Sequence, residues 1–147
     1  MLLCLIYLYN YNLFFIKIEY KFFVIIKTIF IMKTEVLFIE GIDRDITFYI
    51  GRNQNENFNV IDKGKPDDLW FHAHNVSSCH VVAVIPNDIS KKDRKYIIKA
   101  GALLCKKYTN KLASMNCVEI VYTEIKNLEK TKVPGCVKIF KQKTIKI

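Results

Sequence analysis

Asp67 to Ile85 reads DDLWFHAHNVSSCHVVAVI, and this stretch decides the fold. It holds the only Trp and all three His of the chain. Lys65-Pro66-Asp67-Asp68 supplies a turn just before it, because Pro presets one dihedral and Asp closes turns through its side chain. Two runs then read as strands. In Leu69 to Ala73, Leu69, Phe71 and Ala73 share one face, while Trp70 and His72 share the other. In Cys79 to Ile85, Cys79, Val81, Ala83 and Ile85 share one face, and His80, Val82 and Val84 the other. Both runs are apolar on two faces, which places them in the middle of a sheet. The five residues His74 to Ser78 between them suit a hairpin. A symmetric loop sets His72 opposite His80 and Trp70 opposite Val82, with the two His on one face.

Working outward, Thr34 to Glu40 reads as a strand with apolar residues on both faces. Gly41 to Asp45 is a polar turn, and Ile46 to Ile50 alternates around Thr47 and Tyr49, so the pair predicts a hairpin. Asn53 is a helix N-cap with Glu56 three residues on, the capping-box pattern. A short helix should run to about Asp62 and end at Lys63-Gly64, with Gly in the usual terminating position. Beyond Pro86-Asn87-Asp88, Ser90 and Asp93 repeat the capping-box pattern. Lys91 to Thr109 is the best helix of the chain, with Ile97, Gly101, Leu104 and Tyr108 as its buried stripe. Cys117 to Thr123 is the next strand. Lys126, Lys130 and Lys132 follow in a loop. Pro134-Gly135 turns into Cys136 to Phe140, and Lys141-Gln142-Lys143 reads as the tip of a last hairpin closing on Thr144 to Ile147. The fold class is α+β: a mainly antiparallel sheet with one long and one short helix packed on it.

At 147 residues the chain carries one domain with room for a core. A hydrophobic fraction of 51% excludes a disordered tail protein. The net charge of +9 points to an acidic partner, either nucleic acid or an anionic membrane surface. That charge is segregated: residues 33–90 carry a balance of −4 and residues 91–147 one of +11. A segregated basic half points to a polyanion more strongly than a uniform excess does. On the long helix Lys91, Lys95, Lys99 and Lys106 fall on one face away from the stripe. Like charges four apart destabilise a helix by a few tenths of a kcal/mol per pair, and after Asp93 no acid relieves them until Glu119. A solvated lysine face is the plain alternative; the basic C-terminal half favours phosphate binding.

Residues 1–31 differ from everything after them. They contain no Ala, Gly, Pro, Ser, Arg or Asp. The uncharged run from Met1 to Ile16 is shorter than the roughly 20 residues a membrane span needs, and Asn10 and Asn12 interrupt it. A signal peptide would have a basic start and a small-residue cleavage site, and neither is visible. AT-rich codons encode Phe, Ile, Asn, Lys, Tyr and Leu, so an in-frame read through upstream DNA would look like this extension. Of these readings the last is preferred, and residues 32–147 then form the domain.

Five Cys at positions 4, 79, 105, 117 and 136 form no Cys-x-x-Cys pair. Their odd number and scattered spacing make a poor disulfide framework and suit reduced thiols in a cytosolic protein. His72, His74, Cys79 and His80 raise the question of zinc. The strand faces argue against it: His72 and His80 converge, Cys79 points the other way and His74 lies in the loop, whereas a structural site needs four ligands. A Cys–His nucleophile fails on the same geometry. No cofactor, metal or catalytic group is expected. Trp70, His72 and His80 weigh more as a hydrogen-bonded core cluster than as a contact surface.

The ordered set of Asp68-x-Trp70-Phe71-His72, a short loop, and Ser78-x-His80-Val81 resembles the NFACT-R domain. The resemblance continues upstream through Gly51-Arg52-Asn53 and Asn57. Downstream it takes in Val121-Tyr122-Thr123, Lys126 to Lys132, Pro134-Gly135 and Lys143-Thr144-Ile145. NFACT-R is the RNA-binding module of the NFACT proteins of ribosome-associated quality control, and it also stands nearly alone in a coiled-coil-domain protein family. The resemblance implies an RNA-binding domain, with tRNA or ribosomal RNA and the ribosome as partners and no small-molecule substrate. Its motif residues here are Gly51, Asn53, Asp68, Trp70, Phe71, His72, His80, Tyr122 and Gly135. Together with the charge pattern it proposes Arg52, Lys91, Lys95, Lys99, Lys106, Lys126, Lys130 and Lys132 as nucleic-acid contacts, with bases stacking on Trp70 or a Tyr if exposed. Where the family often has Gly-Ser before the second His, this chain has Ser78-Cys79. The catalytic domain, helix-hairpin-helix region and coiled coil of full NFACT proteins have no counterpart in this sequence, so peptide extension does not transfer. A membrane-anchored DNA- or RNA-binding sensor is the alternative, since the stand-alone family has been linked to DNA binding at membranes.

The extension yields a direct test. The expected product begins at Met32 and is a soluble, cytoplasmic protein. Mass spectrometry of a membrane fraction should contain no peptide from residues 1–31, and finding one there would overturn this reading of the start.

Overall fold

The computed structural model describes residues 32–147. The anchor, leader and start-site readings of residues 1–31 lie outside the described residues. Eight strands and three helices follow in order: β1 (Lys33–Ile39), β2 (Arg44–Gly51), α1 (Gln54–Lys63), β3 (Leu69–Ala73), β4 (His80–Ala83), α2 (Arg94–Lys107), α3 (Asn110–Ala113), β5 (Glu119–Glu124), β6 (Leu128–Lys130), β7 (Val137–Ile139) and β8 (Lys143–Lys146). Six strands make one antiparallel sheet in the order β1-β2-β4-β3-β5-β8, and β6 and β7 make a small second sheet. The architecture is α+β, with α2 the long helix and α1 the short one.

The central hairpin has the predicted register: Trp70 pairs with Val82 and Phe71 with Val81. Continued outward, that register sets His72 against His80, and their rings meet at 5.2 Å on one face. β4 is shorter than its apolar run because side chains take over at its ends. Thr109 Oγ1 accepts the Cys79 N–H at 3.2 Å, and Asp68 Oδ1 accepts that of Ile85 at 2.8 Å.

Alternation sorts the sheet into two cores. Ile46, Phe48, Ile50, Leu69, Phe71, Val81 and Ile120 face α2 and pack on its Ile97, Ala102, Leu104 and Cys105. Trp70, Val82 and Val121 face the other way, onto Val60 and Ile61 of α1 and onto Leu128, Val137 and Ile139 of the small sheet. Each fully buried large side chain contributes about 1.5–3 kcal/mol. Gly101 sets how closely α2 lies on the sheet, since a Cβ there would come within 2.5 Å of two ring carbons of Phe71.

Several expectations are corrected. The long helix starts at Arg94 rather than Lys91. Ser90 and Asp93 do form their reciprocal bonds, at 2.7 and 3.1 Å, but these close a separate turn ahead of the helix, and Lys91 lies in that turn. The short helix ends at Gly64 in extended conformation, φ −76°, so its terminator is not left-handed. The space is tight there: a Cβ would sit 2.2 Å from Ile125 Cδ1, so that side-chain tip would have to move to admit one. Lys126 to Lys132 is not simply a loop, because Leu128–Lys130 is a strand. The last hairpin does not form between Cys136–Phe140 and Thr144–Ile147. β7 pairs with β6, and β8 pairs with β5 at the sheet edge. Val137 and Ile139 belong to one core and Ile145 to the other, so the chain changes layer at Lys141-Gln142. There Phe140 N–H is accepted by Asn127 at 3.0 Å, and Thr123 Oγ1 donates to the Lys141 carbonyl.

Gly101→Ala tests the helix–sheet contact. Ala improves helix propensity by about 1 kcal/mol, whereas forcing a methyl into a filled core costs about 1–3 kcal/mol. Phe71 is fully buried and has nowhere to move, so the variant should unfold at lower urea than wild type. An unchanged or raised midpoint would refute the close packing.

Candidate nucleic-acid interface

Most of the motif residues hold the scaffold together. Asn53 Oδ1 accepts the Glu56 N–H at 3.0 Å and caps α1, and Glu56 reaches back to the Arg52 N–H at 3.0 Å. The first turn of α1 lies on Gly51, where a Cβ would be 2.6 Å from Asn57 Oδ1. That same oxygen accepts the His80 N–H at 3.0 Å, and Gly51 and His80 are register partners. Asp68 is buried: Oδ2 accepts the Lys65 N–H at 2.7 Å while Oδ1 holds Ile85. Phe71 receives α2 at Gly101. Gly135 adopts φ +79° beside Gln54, where a Cβ would be 3.0 Å from the Gln54 Cα.

Trp70, His72 and His80 form a tight ring cluster. Trp70 stacks on His72 at 5.6 Å and meets His80 edge-on at 4.9 Å. Trp70 is 1% exposed and His80 2%, so neither ring offers a face to a base; His72 is half-buried. The indole Nε1 is buried without a hydrogen-bond partner among the described residues. His80 Nδ1 lies 3.2 Å from the Asn57 carbonyl, which can only accept, so Nδ1 carries the ring proton. Burial lowers the His80 pKa to about 3; the neighbouring His72 adds to this, and the Asn57 bond opposes it. Burial lowers His72 as well, helped by Lys111. Cys79 faces away from the pair, with its Sγ 3.4 Å from the Cys105 carbonyl.

The proposed contacts divide into two groups. Arg52 bonds Glu56 through Nε at 3.1 Å. Lys126 bridges Asp67 at 2.7 Å and Glu124 at 2.8 Å, and Lys130 pairs with Asp62. By contrast Lys91, Lys99, Lys106 and Lys132 make no ion pair among the described residues, and Lys95 lies over the Tyr96 ring at 4.8 Å.

Lys91 also lines a cleft of about 470 Å³ between the start of α2 and the β5–β8 edge. Arg94, Tyr122, Lys141 and Lys143 line it too, and Glu124 is its only acid. That acid is engaged by Arg94 at 2.9 Å and by Lys126. Lys141 and Lys143 were missed as site residues because they read as a hairpin tip. Their signal was the run of cations Lys138, Lys141, Lys143 and Lys146, the last two of which lie on β8 of the main sheet.

An α+β domain with a lysine-lined, acid-poor cleft belongs, as a class, with the basic scaffolds that meet polyanions. The chain is a member of the NFACT protein RNA binding domain family, whose model matches residues 32–139. It is 35% identical over 104 residues to coiled-coil domain-containing protein 25 of Danio rerio, covering 69% of this chain and 50% of that protein. Over 108 residues it is 30% identical to the Rqc2 homolog RqcH of Streptococcus pneumoniae, covering 71% of this chain and 19% of the relative. The chain thus spans half or less of these relatives. The C-terminal structure of the fibronectin/fibrinogen-binding protein from Streptococcus suis superposes with a TM-score of 0.65 at 27% identity, covering 80% of this chain and 45% of that one.

The buried histidine sets a pH test. His80 is charged in the unfolded chain below about 6.5 but stays neutral in the fold down to about 3. As pH falls between these values, the unfolded state binds a proton that the native state refuses. Stability present above 6.5 is therefore lost by up to about 1.4 kcal/mol per pH unit. NMR of the His80 ring should show no titration between pH 5 and 8, and a midpoint near 6.5 would contradict its burial.

Proposed function

We propose that this chain is a non-enzymatic RNA-binding module of the cytoplasm, with tRNA or ribosomal RNA as its partner and ribosome-associated quality control as its setting. Family membership supports RNA as the ligand class, and similarity to an Rqc2 homolog supports the setting. The observation that carries the reading is the partition of cations. Lysines next to acids are neutralised, while Lys91, Lys95 and Lys99, around the start and outer side of α2, keep their charge for an outside anion.

The mechanism is phosphate neutralisation. Each Lys that meets a phosphate releases condensed counterions, giving affinity with little sequence information. Trp70 is too buried to stack on bases, so selectivity has to come from the shape of the strand and from other rings.

Replacing Lys91, Lys95 and Lys99 together by Gln keeps good helix formers at the two helical positions, changes only an exposed turn residue at Lys91, and touches no buried side chain. Affinity should fall by a similar factor for two unrelated RNAs. The slope of log affinity against log salt should shrink by about two units, at about 0.7 per single-strand phosphate contact. Circular dichroism checks folding. An unchanged slope in a folded variant would make this helix side a solvated face and remove the proposed surface.

A further inference from the structure

We infer that the cleft between the start of α2 and the β5–β8 edge is a subsite for one unpaired nucleotide of an RNA strand, with its base on Tyr122 and its phosphate among Lys91, Lys141 and Lys143. This rests on the RNA-binding reading and adds the form of RNA that is taken.

The size of the cleft fits one nucleotide. Its volume of about 470 Å³ falls within the roughly 300–1,000 Å³ of small-ligand sites. The charge fits a phosphate. Lys91, Lys141 and Lys143 make no ion pair among the described residues, and Glu124 is already held by Arg94 and Lys126. Arg94 Nε is buried without a hydrogen-bond partner. The guanidinium charge is met by Glu124, so the phosphate falls to the three lysines.

The ring decides for an unpaired base. Tyr122 is half-buried and leans on fully buried Phe71, with ring centroids 6.1 Å apart and planes 27° apart. It is thus held in place before any ligand arrives, and what Phe71 leaves uncovered lies at the cleft wall. A base inside a duplex has both faces stacked, so along a strand only an unpaired base can use such a platform. Cations beside a fixed aromatic ring are the combination that binds single strands without reading sequence.

The test compares a short single-stranded RNA with the same strand in a blunt duplex, by fluorescence anisotropy. Wild type should prefer the single strand. Tyr122→Leu should weaken single-strand binding about 5- to 100-fold and leave duplex binding unchanged, while Tyr122→Phe keeps the preference. Equal affinities for both RNAs, or a folded Tyr122→Leu protein that binds like wild type, would overturn the subsite while leaving general RNA binding intact. No binding of either RNA would overturn both readings. If Tyr122→Leu does not fold, adenosine 5′-monophosphate titrated into wild type decides. The Tyr122 ring protons should shift upfield, and a Lys141→Gln/Lys143→Gln double variant should shift less at equal nucleotide. An unmoved Tyr122 signal refutes the subsite, and so does a free mononucleotide that binds as tightly as the strand, since the cleft would then be a small-molecule site.

Discussion

Two short strands buried on both faces are the constraint on which the rest depends. β3 and β4 carry apolar side chains up and down, so each side of the sheet needs a cover. α2 covers one side. The other is shared by α1 and the β6–β7 sheet, because a single ten-residue helix cannot span six strands. Asp68 fastens this centre from inside. Its carboxylate takes the Lys65 and Ile85 N–H groups, and its own carbonyl accepts the Ile125 N–H at 3.0 Å. One residue thereby joins the entry of β3, the exit of β4 and the end of β5. Both side-chain oxygens of this buried residue thus have hydrogen-bond partners.

This explains why a motif that looks chemical is mostly architectural. The Trp–His–His cluster fills the core on the α1 side. Gly51 admits the first turn of α1, and Asn57 supplies the acceptor for the His80 N–H. Phe71 fills the space that Gly101 leaves open. Lys91, Lys99 and Lys143, which make no ion pair among the described residues, lie elsewhere, around α2 and at the β8 edge.

How much was legible follows from the range of the interactions. The central hairpin, its register and the faces of its residues were legible, because period-2 alternation and a short loop act locally. The α1 cap was legible for the same reason, since Asn53 and Glu56 are three residues apart. The partner of β8 was not. Lys143–Lys146 lies next to β7 in sequence but pairs with β5, and only the division of Val137 and Ile139 from Ile145 between two cores reveals the crossing. The start of α2 was misplaced because Ser90 and Asp93 satisfy each other in a turn as readily as in a helix. Among the candidate site residues, sequence spacing gave the exposure of Lys91, Lys95 and Lys99. It could not show that Lys126 meets Asp67, 59 residues away, or that Lys130 meets Asp62, 68 residues away.

The long-range ion pairs also shape the surface. The N-terminal half of the domain is acidic and the C-terminal half basic, and a uniform mixing of the two would cancel the field. Instead Asp62 and Asp67 each take one lysine from the β5–β6 region, whereas Lys91 and Lys143 make no ion pair among the described residues. Part of the remaining positive charge, on Lys91, Lys141 and Lys143, therefore lines the cleft. Its strength is also insensitive to mild acid as far as the core pair is concerned. Burial holds His80 neutral down to about pH 3 and lowers the pKa of His72 as well. A surface charged by exposed lysines responds to ionic strength, because counterions compete for the same field. The buried rings fill the core on the α1 side without adding to that charge, which separates what holds the domain together from what carries its surface charge.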